Sequence, residues 1–305
     1  MSFLTKLPRE RYDTGAFAGF TAGSEFTLAN GKALAWMSQL AYETDNKDKM
    51  TDILRSWGLQ FAGKGIIVKE VGTVLPKAST HCFVAAGRGT TFVAFAGTDP
   101  LNLANWITDF DVHIDETQAA DGYQTAADAV WGGVNDAITA PELATNKVFV
   151  TGHSLGGALA VLTALKIELA SVDRVNAVYT FGSPRPGSKD YADQRYNPRL
   201  GLRTYRLVQG DDLVPTVAPT NLGFHHVGRY LHCGRGGRFD PRKLAADASS
   251  DEPLFVEGVT QGLTDDFHGR AASCRHWPRH RKRLQDETLR GISAATARRC
   301  YASHN

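Results

Sequence analysis

Apolar and polar positions follow two different periods along the first hundred residues, and each period predicts a different element. Residues 29–44 carry apolar side chains at helical spacing, and a second helix is predicted at about 48–58. Three runs rich in β-branched and aromatic side chains then predict strands, and GRGT at 87–90 between the last two is typical of a hairpin turn. The three runs are GIIVKEV, HCFVAAG and TTFVAFAG.

Strands and helices alternate in the second half of the chain. Residues 124–139 predict a helix, KVFVTGH predicts a buried strand, and GALAVLTALKIEL predicts another helix. VNAVYTFGSP and LRTYRLV predict two more strands, and the alternating run GFHHVGRYLH predicts a further one. This order is typical of an α/β fold in which helices cover both faces of a mostly parallel sheet.

Length and composition fit one α/β domain. The chain has 305 residues, of which 42% are hydrophobic, so it can bury a large core. We expect a single domain over 1–305, with its core at about 30–235 and a helical, basic extension at about 236–305 that includes a helix near 253–267. A basic run of this kind is usually a solvated helix face, and the alternative is a weak contact with phospholipid or nucleic acid.

The charge balance excludes a dedicated polyanion partner. There are 34 basic and 32 acidic residues, for a net charge of +2, so no nucleic-acid partner is expected. No apolar run approaches the roughly 20 residues that span a bilayer, so we expect no transmembrane segment. The first residues lack the apolar core of a secretory signal, which leaves a cytoplasmic location or secretion without a recognisable signal peptide.

The cysteines do not indicate a metal site. The four cysteines are widely spaced and include no C-x-x-C pair, so no zinc site is expected and free thiols are favoured. Cys233 and Cys274 are a candidate pair in an oxidising compartment.

The strongest chemical motif is GHSLG at 152–156, with Ser154 at its centre. An apolar strand runs into this pentapeptide and a helix rich in Ala and Leu runs out of it, which is the context of a nucleophile elbow. Glycines two positions on either side of the serine remove side chains that would collide in so tight a turn. The alternative, a small-residue turn that packs a helix on a strand, needs the glycines but not the serine.

A serine nucleophile needs a base, and the base needs an orienting acid, both downstream of the serine in this fold. Asp212 follows the strand LRTYRLV and so lies on the same sheet edge as Ser154, where it is better anchored than Asp211. The histidines of GFHHVGRYLH are assigned to packing or to the surface rather than to a metal, because neighbours on a strand point to opposite faces. The candidates for the base are His268, His276 and His280.

Four stretches in this order resemble the class 3 lipases, the family of the fungal triglyceride lipases and their bacterial relatives. They are VAFAGTDPLNLANWITDF at 93–110, GHSLGGALA at 152–160, TFGSPRPG at 180–187 and YRLVQGDDLVP at 205–215. The resemblance covers about residues 30–235 and implies an α/β-hydrolase, with a central mostly parallel mixed sheet, helices on both faces and a lid segment. It also aligns Asp212 with the family's catalytic acid.

The same resemblance implies the oxyanion hole and the base. Thr98 would give its backbone N–H and its hydroxyl to the oxyanion, and the N–H of Leu155 would be the second donor. RHWPRH at 275–280 is similar to a D-H-x-P segment of bacterial members, which implies His276 as the base, with His268 and His280 as alternatives.

A lid is implied at about 99–113. Its apolar side chains repeat at helical spacing and would cover an acyl pocket, although periodicity alone favours an ordinary helix that faces the core. These side chains are Leu103, Trp106, Ile107 and Phe110.

Two positions depart from the family pattern. Ala96 stands where the family usually has Arg, and ADGY at 120–123 replaces an H-x-G-F element. These family residues support the site rather than react, so their loss affects local ion pairing more than the chemistry.

Together these residues predict a serine carboxylic-ester hydrolase, lipase-like, that cleaves acylglycerols or related esters at a lipid–water interface. The triad would be Ser154, Asp212 and His276, an acyl-enzyme would form, and no cofactor or metal is needed. The alternatives are a phospholipase A1 or feruloyl-type esterase with the same triad, or a non-catalytic lipase-like binding module.

Overall fold

A seven-stranded mixed sheet forms the centre of the molecule in a computed structural model, which describes residues 4–71, 78–98, 113–210, 212–218, 220–234 and 237–245. The strand order is β1-β2-β3-β4-β5-β7-β9, and β6 pairs with β8 apart from this sheet. The β1/β2 and β2/β3 pairs are antiparallel, and the four later pairs are parallel. The strands are β1 (Gln60–Val71), β2 (Ala78–Gly87), β3 (Thr90–Phe95), β4 (Lys147–His153), β5 (Val175–Phe181), β6 (Gly187–Ser188), β7 (Thr204–Gln209), β8 (Phe224–His225) and β9 (Arg229–Cys233).

The helices lie between the strands and before the first one. The α-helices are α1 (Leu28–Leu40), α2 (Lys47–Ser56), α3 (Asp121–Ile138), α4 (Leu155–Ala170) and α5 (Asn197–Leu200). Tyr191–Tyr196 form a π-helical segment. Short 3-10 turns are Arg9–Arg11, Ala41–Glu43, Pro141–Leu143, Gly201–Arg203, Val214–Thr216, Thr220–Leu222 and Pro241–Lys243. The helices predicted at 29–44, at about 48–58 and at 124–139 are confirmed, with ends that differ by one to four residues.

The hairpin between β2 and β3 is the one that the sequence predicts. Gly87 pairs with Thr90 across the turn, and the two residues between them have φ angles of 55° at Arg88 and 70° at Gly89. Positive φ at both central residues is the mark of a type I′ turn, whose twist matches that of the flanking strands.

β1 begins five residues earlier than the pattern predicts. Its register against β2 shifts between Phe61 and Ile66, and Gly63 and Gly65 have positive φ in that interval. The irregular stretch breaks the apolar alternation, so the sequence pattern captures only the regular half of the strand.

Helices cover both faces of the sheet, as predicted. The parallel strands follow one another in chain order, and α3 and α4 pack on the same face, as connections of one hand require. The N-terminal segment, α1 and α2 cover the other face. Successive residues of β4 alternate between the two cores: Val148 and Val150 pack with α3 and α4, whereas Phe149 packs with α1.

The run GFHHVGRYLH forms two strands rather than one. β8 pairs with β6 in the small sheet, whereas β9 joins the main sheet beside β7. Gly228, with φ of 74°, lies between them and redirects the chain, so the alternating pattern spans a break.

Most of the predicted extension lies outside the described residues, including the helix near 253–267. Its first part adds to the edge of the sheet, because Ala245 and Tyr230 exchange backbone hydrogen bonds of 2.9 and 3.3 Å. No helix among the described residues is both long enough and apolar enough to cross a bilayer.

Candidate active site

Ser154 lies at the sharp turn between β4 and α4. Its backbone has φ of 56° and ψ of −133°, a region that residues other than glycine seldom adopt and that costs about 1–3 kcal/mol. The side chain is fully buried, and Oγ has no hydrogen-bond partner among the described residues. A strained, buried hydroxyl at the start of a helix is the geometry of a nucleophile elbow.

The two glycines of the motif are required by close backbone contacts. A Cβ on Gly152 would lie 2.0 Å from Gly156 O, and a Cβ on Gly156 would lie 2.6 Å from both Phe95 O and Ala96 O. Any larger residue at either position would push the first turn of α4 away from β3 and β4. The turn is therefore as tight as the sequence predicts, and a side chain at either glycine would collide with the backbone.

The segment after β3 runs directly beside Ser154. A Cβ on Gly97 would lie 2.5 Å from His153 O and 2.9 Å from Ser154 Cβ. Thr98 follows, with a buried Oγ1 that has no hydrogen-bond partner within the described part of the chain. On the other side, the N–H of Leu155 belongs to the first residue of α4, and such N–H groups have no acceptor inside the helix.

Tyr42 and His153 hold this segment in place, and sequence analysis missed both roles. The N–H of Gly97 donates to Tyr42 Oη at 3.0 Å, and Tyr42 Oη lies 2.9 Å from His153 Nδ1. The N–H of Ala96 donates to the carbonyl of His81 at 3.0 Å. Local periodicity carries no signal for Tyr42, which lies at the end of the α1 region and reaches the site only through packing.

Asp212 lies just beyond the end of β7. It is 4% exposed, and its Oδ1 accepts a hydrogen bond from the N–H of Val214 at 3.1 Å. β3, β4 and β7 are parallel members of one sheet, so Thr98, Ser154 and Asp212 all follow strands that end at the same edge. This is the edge at which open α/β sheets place their sites, as the sequence predicts. Asp211 lies outside the described residues.

The three described histidines after Ser154 have structural contacts. His226 Nε2 lies 2.9 Å from Pro215 O, and His232 Nε2 lies 2.9 Å from Gly210 O. Burial, with the nearby charges of Lys189 and Arg185, lowers the pKa of His225. Over the described ranges no three His, Cys, Asp or Glu side chains are close enough together to hold a metal ion.

Several predicted residues lie outside the described part of the chain. These are the candidate bases His268, His276 and His280, and the lid side chains Leu103, Trp106, Ile107 and Phe110. The structure therefore places Ser154, Asp212 and Thr98 at one sheet edge, and their catalytic roles, like the base and the lid, stay predictions.

The two departures from the family pattern lie in apolar surroundings. Ala96 is 9% exposed and packs in the core that includes α1, and Ala120 is fully buried in the opposite core. Nearby, burial raises the pKa of Tyr123 well above its usual value, so this phenol stays neutral. At both positions an alanine packs in an apolar core, where the family has a charged or polar side chain.

A strained serine between a parallel strand and a helix, with an aspartate two strands away, is the arrangement of the α/β-hydrolase fold. The fold is shared with the Rhizomucor miehei lipase–propeptide complex, with a TM-score of 0.55, 23% identity and coverage of 75% of each chain. Residues 92–222 match the model of the class 3 lipase family. This match bears out the resemblance seen in the sequence.

Curated relatives match over shorter stretches. The chain is 31% identical to the secreted mono- and diacylglycerol lipase 1 of Fusarium solani over 172 residues, which are 53% of this chain and 49% of that protein. It is 40% identical to a secreted mono- and diacylglycerol lipase of Malassezia restricta over 128 residues, which are 40% of each. The chain thus spans half or less of the length of these relatives.

Proposed function

We propose that this protein is a serine carboxylic-ester hydrolase that cleaves acylglycerols or related esters. The observation that carries the proposal is Ser154, whose strained backbone presents a buried hydroxyl at the start of α4. Such strain persists only where the surrounding structure enforces it, and it clusters at reactive positions. Asp212 and the Gly97–Thr98 segment at the same edge add the groups that a serine nucleophile needs.

The proposed reaction is a two-step acyl transfer. Ser154 Oγ attacks the ester carbonyl while the base, assigned to His276, takes its proton, and the tetrahedral oxyanion is held by Thr98 and the N–H of Leu155. The C–O bond to the alcohol then breaks, and the alcohol leaves with the proton from His276. Water attacks the acyl-enzyme in the same way, and the acid is released. Asp212 orients the imidazole throughout.

The relatives support a lipid ester as substrate. Two of them are named as mono- and diacylglycerol lipases, and both are described as secreted. We extend this to acylglycerol cleavage at a lipid–water interface by an exported protein. Leu103, Trp106, Ile107 and Phe110 are proposed to form the apolar face of a lid over the acyl chain.

The first prediction is that Ser154→Ala abolishes hydrolysis of p-nitrophenyl butyrate, by about 10⁴-fold or more, because the nucleophile is lost. Wild-type protein should also be labelled by a fluorophosphonate probe, and the variant should not. Ser171→Ala, at the exposed far end of α4, is the matched control and should leave both signals unchanged. Retained turnover in the Ser154 variant would refute the proposal, and an inert wild type would favour a binding module.

The same assay identifies the base and the substrate class. Among single alanine variants of His268, His276 and His280, we expect only the His276 variant to match the loss seen for Ser154→Ala. Mono-, di- and triacylglycerols, a phospholipid and a feruloyl ester then separate the acylglycerol assignment from phospholipase A1 and feruloyl-type activity.

A further inference from the structure

The segment that follows β5, residues 182–188, packs between the turn that carries Ser154 and the start of α3. The carbonyl of Phe181, just before it, accepts the N–H of Ser154 at 2.9 Å. A Cβ on Gly157 in α4 would lie 2.6 Å from Ser183 Cβ, so the helix packs directly on this segment. Farther on, the carbonyl of Pro186 accepts the N–H of Ala120 at 3.0 Å, just before α3. One stretch of backbone therefore contacts both the nucleophile elbow and the start of α3.

Arg185 reaches from this segment to the loop that carries Asp212. Its side chain is buried, with 6% exposure, and its Nη1 donates to Thr216 O at 2.9 Å and to Ala218 O at 3.3 Å. Its backbone N–H adds a hydrogen bond of 3.4 Å to Val217 O. Three consecutive carbonyls, those of Thr216, Val217 and Ala218, thus accept hydrogen bonds from Arg185.

The acid loop, residues 212–218, departs from regular structure in a way that needs outside support. It forms a single 3-10 turn over Val214–Thr216, and Ala218 has φ of 58° although it is not glycine. Thr216 and Ala218 are almost fully buried, so their carbonyls cannot turn to water. If either carbonyl lost its hydrogen bond, it would be buried without a donor, and the loop would favour a different path.

We propose that Arg185 is a positioning residue for the catalytic acid, because its guanidinium fixes the loop whose first residue is Asp212. This inference rests on the proposed function, in which Asp212 orients the base. Asp212 is tied to the loop by its own contact with the N–H of Val214, two residues before Thr216. A displacement of the loop would carry the carboxylate with it.

Arginine suits this role better than lysine. Its planar guanidinium presents several N–H groups in a fixed geometry and keeps its charge at every working pH, so it can hold two carbonyls at once. A lysine at the same place keeps the charge but gathers its donors on one flexible ammonium. Arg185→Lys should therefore restore part of what Arg185→Met removes.

Arg174 offers a matched control at the opposite end of the same strand. It precedes β5, and its Nη2 donates to Ile138 O and Leu143 O, both at 2.7 Å. It thus holds a loop by the same chemistry, at the sheet edge away from Ser154. Loss of Arg174 should affect folding without affecting Asp212.

The experiment compares Arg185→Met, Arg185→Lys and Arg174→Met in the full-length chain, with p-nitrophenyl butyrate as substrate. Enzyme concentration is normalised by exhaustive fluorophosphonate labelling, so that loss of folded protein is not counted as loss of rate. We expect Arg185→Met to lower kcat by about 10–100-fold with KM within about twofold, since a small displacement of a catalytic group costs this much. Arg185→Lys should fall between, and Arg174→Met should stay within about twofold of wild type.

The pH profile gives a second readout that folding alone does not move. An imidazole that loses its carboxylate partner has a lower pKa, so the acid limb of kcat/KM should shift to lower pH in Arg185→Met, by about half a unit or more. Arg174→Met should leave the limb in place. If Arg185→Met matches Arg174→Met in both kcat and acid limb, the proposal is overturned.

Three further outcomes are decisive. If Arg185→Met does not fold, Arg185→Lys is compared with Arg174→Lys, and equal kcat values with equal acid limbs overturn the proposal. If wild-type protein shows no turnover that depends on Ser154, the proposed function fails and this inference fails with it. When Ser154-dependent turnover is present but the Arg185 variants match the controls, only the role of Arg185 is refuted.

Discussion

His81 shows how a single residue can stabilise the segment that leads from β3 to Ser154. Its ring lies between two hydroxyls, with Thr44 Oγ1 2.6 Å from Nδ1 and Ser79 Oγ 2.7 Å from Nε2. Its backbone carbonyl accepts a hydrogen bond from the N–H of Ala96, next to Gly97 and Thr98. Burial lowers the pKa of this imidazole, and the neighbouring charges of Asp45 and Lys6 act in opposite directions. The fold therefore favours neutral His81.

We expect His81 to make the protein less stable in acid. Its pKa in the folded state lies below the ordinary value of 6.5, so the unfolded chain takes up a proton first as the pH falls. The free energy of unfolding should fall as the pH drops below about 6.5, and His81→Gln should reduce the difference between pH 7.5 and pH 5.5. Urea titrations at the two pH values measure this. If His81→Gln loses as much stability between pH 7.5 and pH 5.5 as wild type does, His81 is not the source of the acid sensitivity.

At the scale of elements, the first two helices begin at side-chain caps that the sequence contains but that only geometry can verify. Thr27 Oγ1 accepts the N–H of Asn30 at 3.0 Å at the start of α1. Asn46 Oδ1 accepts the N–H of Lys49 at 3.1 Å at the start of α2. Each cap satisfies one of the backbone donors that a helix leaves without a partner in its first turn.

Thr27→Ala should lower the free energy of unfolding by about 1 kcal/mol, because one N–H of α1 loses its acceptor. Thr27→Ser keeps the hydroxyl and should stay within about 0.5 kcal/mol of wild type. Chemical denaturation of the two variants gives the comparison. Equal destabilisation by both would mean that the methyl group, and not the cap, is responsible.

At the scale of the whole molecule, Glu43 ties the N-terminal segment to the helices that cover one face of the sheet. It is 1% exposed, and its Oε1 accepts the N–H of Leu7 at 2.8 Å and the hydroxyl of Tyr12 at 3.0 Å. Its Oε2 pairs with Lys49 Nζ at 2.7 Å. Burial, together with the charge of Glu43, raises the pKa of Tyr12, so this phenol remains a donor.

Glu43→Ala should destabilise the protein by about 3–5 kcal/mol, since it leaves the Lys49 charge and several donors without their buried partner. Lys6→Ala is the control, because Lys6 pairs with Asp45 at the surface and both side chains are more than half exposed. That variant should change stability by less than about 1 kcal/mol. Similar losses in the two variants, measured by denaturant unfolding, would contradict the role of Glu43.

Much of the fold could be predicted because its signals are local. The period of apolar residues defines helices and strands, and GRGT at 87–90 defines a hairpin turn, so these elements appear where expected. The prediction was wrong for GFHHVGRYLH, where alternation continues across Gly228 although the strands belong to different sheets. Alternation reports which face a side chain takes, and it carries no information about the sheet that the strand joins.

The sequence by itself determined the nucleophile elbow and the order of serine and acid, because a turn, its glycines and the flanking strand and helix lie within one short segment. Only the tertiary structure decided which residues support that site. Gly97 and Tyr42 are 55 residues apart, Tyr42 and His153 are 111 apart, and Arg185 and Thr216 are 31 apart. Such contacts arise from how the helices and loops pack on a shared sheet, and no periodicity within one segment encodes them.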